Sequence, residues 1–228
     1  MGLFGKIFGG GASPENKVET PTAPDSDASD DQAWEGVSGQ NQMACPIPFV
    51  EEDQATGEIA EIYDSLKKAM QVPEVPNMNK VLAQSPQALK ATVAMLGELF
   101  MGSSLPQPIV SMLLYSISLA RRCQYCSSMH RLTCRMVGVD ETMLSAVGNN
   151  LGSVTPERVQ AIVAFGIKAA MSSADLTEAD YDKLRDMGIS DSEIVEIVAL
   201  SGLGVYLDIV AESLKIEVDV MVKQGLAA

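Results

Sequence analysis

Beyond residue 45 the apolar positions recur at intervals of three and four rather than two, the spacing of helices that each bury one face. The run PIPFV at 46–50 opens this region, and Thr56 and Glu58 begin a helix carrying Ile59, Ile62, Tyr63 and Leu66 on one side. Pro73 and Pro76 break the chain, since each fixes its own φ and lacks an amide proton. Ser85-Pro86 restarts it as a cap followed by proline at the first helical position, and the helix extends to about Met101 before Gly102. Residues 106–121 are apolar on nearly every side, which assigns that helix to the core. RRCQYCSSMHRLTCRMVG keeps helical spacing up to Gly138. Asp140 caps a short helix, Thr155-Pro156 opens one running to about Ser172, and Thr177 with Asp180 is a weaker start signal. Ser190 and Glu193 form a complete capping box for a last long helix that reaches about Leu214. No segment alternates as a strand does, and no repeat of fixed period emerges. The predicted fold class is all-α.

The first 44 residues follow another pattern. In MGLFGKIFGG, residues 1–10, Leu3, Phe4, Ile7 and Phe8 share one face, which reads either as a weak membrane or partner anchor or as a frayed terminus. Lys6 departs from the myristoylation pattern. Residues 11–44 are rich in Gly, Ser, Pro, Asp and Glu, and predict a disordered acidic linker in which Trp34 stands alone. Residues 45–228 are expected to form the helical domain.

Composition supports packed helices: 46% of residues are hydrophobic but only 5% aromatic, and 13 methionines are available to fill irregular gaps. A net charge of −14 with no basic patch argues against a nucleic-acid partner. No run of about 18 apolar residues free of charge exists, as a membrane span would need, and no signal-peptide pattern is apparent. A cytoplasmic protein is expected, with any peripheral membrane contact confined to residues 1–10.

Chemistry concentrates in Cys123-Gln-Tyr-Cys126-Ser-Ser-Met-His130, which contains the chain's only histidine and two of its four cysteines. On a helix, Cys123 and Cys126 share one face at a Cα separation of roughly 5–6 Å, which a disulfide accepts. His130, one turn past Cys126, is placed to take a thiol proton directly or through water. Arg121 and Arg122 are candidates to favour the thiolate, the form that attacks peroxides and disulfides. Three readings stay open: a redox pair, a structural zinc site completed by Cys134, or buried inert thiols beside a core histidine. The zinc set would be strung along about 16 Å of one helix at 1.5 Å per residue, too far for a tetrahedral site without a break. Cys134 and Cys45 read more simply as spectators.

The CxxCxxxH segment resembles the core motif of the alkylhydroperoxidase D-like, or carboxymuconolactone decarboxylase, superfamily. PFVEEDQATGEIAEIYDSLKKAMQVPEVPNMNKVLAQSP and LTEADYDKLRDMGISDSEIVEIVAL are similar to its flanking regions, so the resemblance covers about residues 46–220. It implies an all-helical domain that forms trimers or hexamers and a peroxidase in which Cys126 attacks, Cys123 resolves and His130 relays a proton. It also implies that the Cys123–Cys126 disulfide itself is the redox centre, with no added cofactor or metal, and that an external thiol system, lipoyl-type in some members, reduces it. The family's peroxidases carry a glutamate where this chain has Ser111, twelve residues before Cys123. Ser111 can hold a water there but cannot be a carboxylate base, and Glu98 and Glu141 are candidates to approach in space. The alternative function, motivated by that missing glutamate, is a non-catalytic oligomeric scaffold or adaptor recruited to a membrane or larger assembly through residues 1–10.

Flotation with liposomes compares the full chain with one lacking residues 1–44. The anchor reading expects only the full chain to float, and equal behaviour of the two removes it.

Overall fold

The computed structural model describes residues 43–227, and within them the chain is all-α, with ten α-helices and no strand. The segment 1–10, Trp34 and most of the proposed linker lie outside the described residues.

The predicted start signals act as written at several places. Helix α1 (Glu58–Met70) buries Tyr63 and Leu66. In α3 (Pro86–Met95) the Ser85 hydroxyl accepts the amide of Ala88 at 3.3 Å. Asp140 accepts the amide of Met143 at 2.8 Å to begin α6 (Glu141–Asn149). Both Thr177/Asp180 and Ser190/Glu193 close full capping boxes, at the starts of α8 (Glu178–Asp186) and α9 (Asp191–Ser213). The aspartate at the fourth position therefore serves as well as the preferred glutamate; Lys168 also binds it, and together they hold the Asp180 carboxyl down at about 2. Two short helices were not expected: α2 (Asn77–Leu82), directly after Pro76, and α10 (Val220–Ala227).

Helix α3 does not end at Met95 but widens into a π-helical segment over Leu96–Met101, which Gly102 terminates. Helix α4 (Gln107–Ala120) is the central element, with every residue from Ile109 to Ser118 buried. It packs against α7 (Glu157–Ser172) and α9, and both contacts are close because glycines face it. A Cβ on Gly166 would lie 2.1 Å from Leu113 Cδ1, and one on Gly204 would lie 3.2 Å from Ile117 Cγ2. Leu113, Ile117, Ile162, Ile197 and Leu200 are fully buried at these crossings, each contributing about 1.5–3 kcal/mol on burial. By length and composition α9 could cross a membrane, but half of its apolar window is buried within the domain, so it is explained as a core helix.

Replacing Gly204 by leucine should push α9 away from α4. The expected cost is about 1–3 kcal/mol, seen as a lower urea midpoint at unchanged slope. An unchanged midpoint would show that the contact tolerates expansion.

Candidate functional site

The segment expected to run as one helix through both cysteines has a corner in it. Helix α4 closes through a Schellman-type turn: the amide of Arg122 donates to the Leu119 carbonyl and that of Cys123 to the Ser118 carbonyl, both at 2.9 Å. The left-handed residue this turn requires is Arg122, at φ 58°, where glycine is usual. Cys123 then becomes the N-cap of α5 (Gln124–Met136), with its Sγ accepting the amide of Cys126 at 3.4 Å. The pair therefore sits at a helix N-terminus, not on the side of a continuous helix.

Behind the pair lies a residue that sequence reasoning missed. Asp208 of α9 is 1% exposed, and its carboxylate oxygen and the two sulfurs all lie within 4.8 Å of one another. Ser118 donates to its Oδ1 at 3.0 Å, and the Arg121 guanidinium approaches its Oδ2 at 3.2 Å as an ion pair without hydrogen-bond alignment. Burial pushes the Asp208 carboxyl up; hydrogen bonds from Ser118, Cys126 and Cys123 and the charge of Arg121 oppose that. Cys126 is held well above an ordinary thiol, first by its hydrogen bond to Cys123, then by burial, with Asp208 adding to both. Arg121 thus serves Asp208 rather than a thiolate directly, and Arg122 is exposed.

Cys126 also lines a cavity of about 370 Å³ walled by α1, α2, α3, the π-helical segment, α5 and α10, with Gln107 of α4 and Leu207 of α9 completing it. Six of the 13 methionines line it (Met70, Met78, Met101, Met129, Met136 and Met221), with Leu96 and Phe100 among their neighbours. Met101 and Met136 are 50% and 63% exposed and mark its rim. His130 and Asn79 are polar points in this apolar wall. Burial lowers His130 to about 4, so the imidazole is neutral at pH 7. Tyr125, beside Cys126, bonds to the Met78 amide at 3.3 Å and to Asp219, whose Oδ1 takes the Asn77 amide at 2.7 Å. That network ties the start of α5 to α2 and α10.

The remaining candidates lie elsewhere. Ser111 is fully buried in α4 with an unpaired hydroxyl and does not line the cavity. Glu98 is exposed, and Glu141 is bound at the surface by Arg131 and Arg135. Cys134 is buried and pushed up to about 12 by burial, while Cys45 is half-buried and bonds to the Ile47 carbonyl. The four residues weighed for zinc are not gathered: among the described residues, the cysteine pair is joined by Asp208, not by His130 or Cys134.

Fold and site together define the class: an all-α, alkylhydroperoxidase D-like fold with its CxxC at a helix start. The profile of the carboxymuconolactone decarboxylase family matches residues 86–153, which span α3, α4, the cysteine pair and α6. A peroxidase-related protein with an alkylhydroperoxidase AhpD core from Ralstonia eutropha is similar at TM-score 0.70 and 22% identity, covering 77% of this chain and 92% of that one. A peroxidase-related protein from Silicibacter sp. gives 0.70 and 22%, over 82% and 96%. The debrominase Bmp8 in complex with 2,3,4-tribromopyrrole gives 0.70 and 15%, over 82% and 98%. No curated protein sequence matches the chain. The superfamily resemblance read from CxxCxxxH is supported by the family match and by the shared fold.

Native burial disfavours the imidazolium while the unfolded chain protonates freely near pH 6.5, so the unfolded state binds more protons between the two values. His130 thus costs no stability above pH 6.5, and stability is lost as pH falls towards about 4. The full drop corresponds to about 3 kcal/mol. Urea unfolding at pH 7 and pH 5 should show a smaller acid loss for His130→Gln than for the unsubstituted chain; equal losses would contradict the buried neutral imidazole.

Proposed function

We propose that the chain is a thiol–disulfide oxidoreductase that reduces apolar organic hydroperoxides, with Cys126 as attacking thiol and Cys123 as resolving thiol. The observation that carries this reading is the two-sided position of Cys126, which faces the methionine-rich cavity while touching Cys123 behind it. Apolar walls bind the organic part of a hydroperoxide, and methionine side chains adapt to its shape. The Cys126 thiolate attacks the terminal peroxide oxygen, the O–O bond breaks, and the alcohol leaves as a sulfenic acid forms on Cys126. Cys123 then attacks that sulfur, closing the disulfide and releasing water. Neutral His130 offers an N–H to the peroxide oxygen and assists proton transfer. An external dithiol, lipoyl-type in the reading drawn from the family, returns the pair to its reduced form, and no further cofactor is involved. The exposed apolar positions Val195, Val198 and Ile209 along α9 favour a homo-oligomer, in which a second copy covers them. A cytoplasmic location accompanies this reading.

One observation favours the scaffold reading instead: Cys126 is 2% exposed and held in its protonated form.

The deciding experiment is thiol titration and mass analysis of reduced protein before and after one equivalent of cumene hydroperoxide. Loss of two thiols with a Cys123–Cys126 bridge is expected, faster than with hydrogen peroxide at equal concentration. Cys126→Ser should abolish turnover. Thiols inert from mildly acidic to alkaline pH would turn the assignment to the scaffold.

A further inference from the structure

We infer that Asp208 is the proton carrier of the cysteine pair, one carboxylate serving both the attacking and the resolving thiol. The inference rests on the peroxidase reading above. Its ground is geometric: among the described residues, Asp208 is the carboxylate grouped within 4.8 Å of both sulfurs, it is 1% exposed, and it does not line the cavity. A buried carboxylate is costly unless partnered, and α4 supplies partners that fix its orientation. The Ser118 hydroxyl binds Oδ1 at 3.0 Å and the Arg121 guanidinium lies 3.2 Å from Oδ2. The same turn of α4 accepts the Cys123 amide on the Ser118 carbonyl, so one residue sets both the carboxylate and the cysteine it serves. Glu98 and Glu141, the other carboxylates weighed for this role, face solvent or surface arginines.

In the first step the proton of the Cys126 thiol passes to Asp208, and the thiolate attacks the terminal oxygen of the hydroperoxide. The O–O bond breaks, sulfenic acid forms on Cys126, and the proton held by Asp208 is returned to the departing alkoxide. In the second step the Cys123 proton passes to the same carboxylate. Its thiolate attacks the Cys126 sulfur, the S–S bond forms, and the hydroxide leaves as water with the returned proton. Two thiols and one hydroperoxide give one disulfide, one alcohol and one water, and Asp208 ends as it began. Burial raises the Asp208 carboxyl, which suits it to hold a proton between steps, while Ser118, the two thiols and Arg121 oppose that rise and favour its release.

The groups facing Asp208 are Ser118 from α4, Arg121 just past its end, Cys123 at the corner and Cys126 from α5. This makes the role separable from a structural one. Removing the negative charge in Asp208→Asn eases ionisation of Cys126, because that charge is among the causes holding its proton. Alkylation of Cys126 by iodoacetamide, which needs thiolate and reagent access but no carried proton, should therefore proceed at least as fast in the variant. Bridge formation with cumene hydroperoxide, which needs the proton carried, should fall about 100-fold at pH 7. Asp208→Glu should restore part of that rate, and Ser118→Ala, which keeps the charge but loosens its aim, should slow bridging several-fold. These rates are measured by rapid quench on the reduced full chain from pH 5 to 9. Bridging in Asp208→Asn that matches the unsubstituted chain, or bridging and alkylation slowed together, overturns the inference. If the unsubstituted chain itself fails to bridge, the peroxidase reading falls first and this one with it.

Discussion

Everything distinctive about this molecule depends on how the chain turns between Ser118 and Cys126. Helix α4 needs partners for its last carbonyls, and α5 needs partners for its first amides. Cys123 supplies one of each, giving its backbone amide to the Ser118 carbonyl and its sulfur to the amide of Cys126. A single residue therefore ends one helix and starts the next. The left-handed conformation of Arg122 makes so tight a corner possible, at a cost of order 1 kcal/mol relative to glycine. An uninterrupted helix would have left Cys123 on its flank, with its sulfur far from any helix terminus. The corner instead holds both sulfurs against α9, where the carboxylate waits.

That carboxylate is poorly explained by stability. Asp208 sits in a helix whose neighbouring face buries Leu203, Gly204, Leu207 and Ala211, and apolar residues of similar size in place of a buried ion pair are often neutral or stabilising. Removing only one partner is different, since it strands a buried charge at about 3–5 kcal/mol. The arrangement of Ser118, Arg121 and two thiols around Asp208 thus has the form of a site. It keeps a carboxyl in the core beside two reactive atoms, and restricts which substitutions the fold accepts.

These relations explain which parts were legible in advance. Caps are local: Ser85, Asp140 and the Ser190/Glu193 box act within four residues, so their spacing alone announces them. Helix α4 was legible because ten consecutive buried residues cannot be mistaken for a surface face. Helices α2 and α10 were not, because six and eight residues give too few turns for a period, and five of the six in α2 are buried, which erases any polar face. Both cysteines and the histidine were visible as a motif, but the corner at Arg122 was not, since a left-handed arginine carries no glycine to mark it. Asp208 was missed for a different reason. It is the only charge between Ile197 and Ala211, and a lone charge in so apolar a helix must find a partner in the core. The family pattern drew attention to Ser111 instead, a position that here holds a hydroxyl in the middle of α4, away from the cavity.

The site has two faces with opposite chemistry, and the proposed reaction depends on keeping them apart. The cavity side is apolar, adaptable and nearly free of charge, with a neutral imidazole as its main polar point. Around the sulfurs lie the Asp208 carboxyl, a guanidinium and a hydroxyl. Cys126 is the boundary between them. Its neighbours hold its proton, so the resting thiol is a weak nucleophile towards small oxidants arriving from water. Reactivity then requires two conditions together: an apolar molecule seated on the methionine wall, and an oxygen on it able to receive the proton that Asp208 carries. On that view the elevated thiol is the element that makes attack conditional on the bound substrate, and burial of the pair is the source of its selectivity.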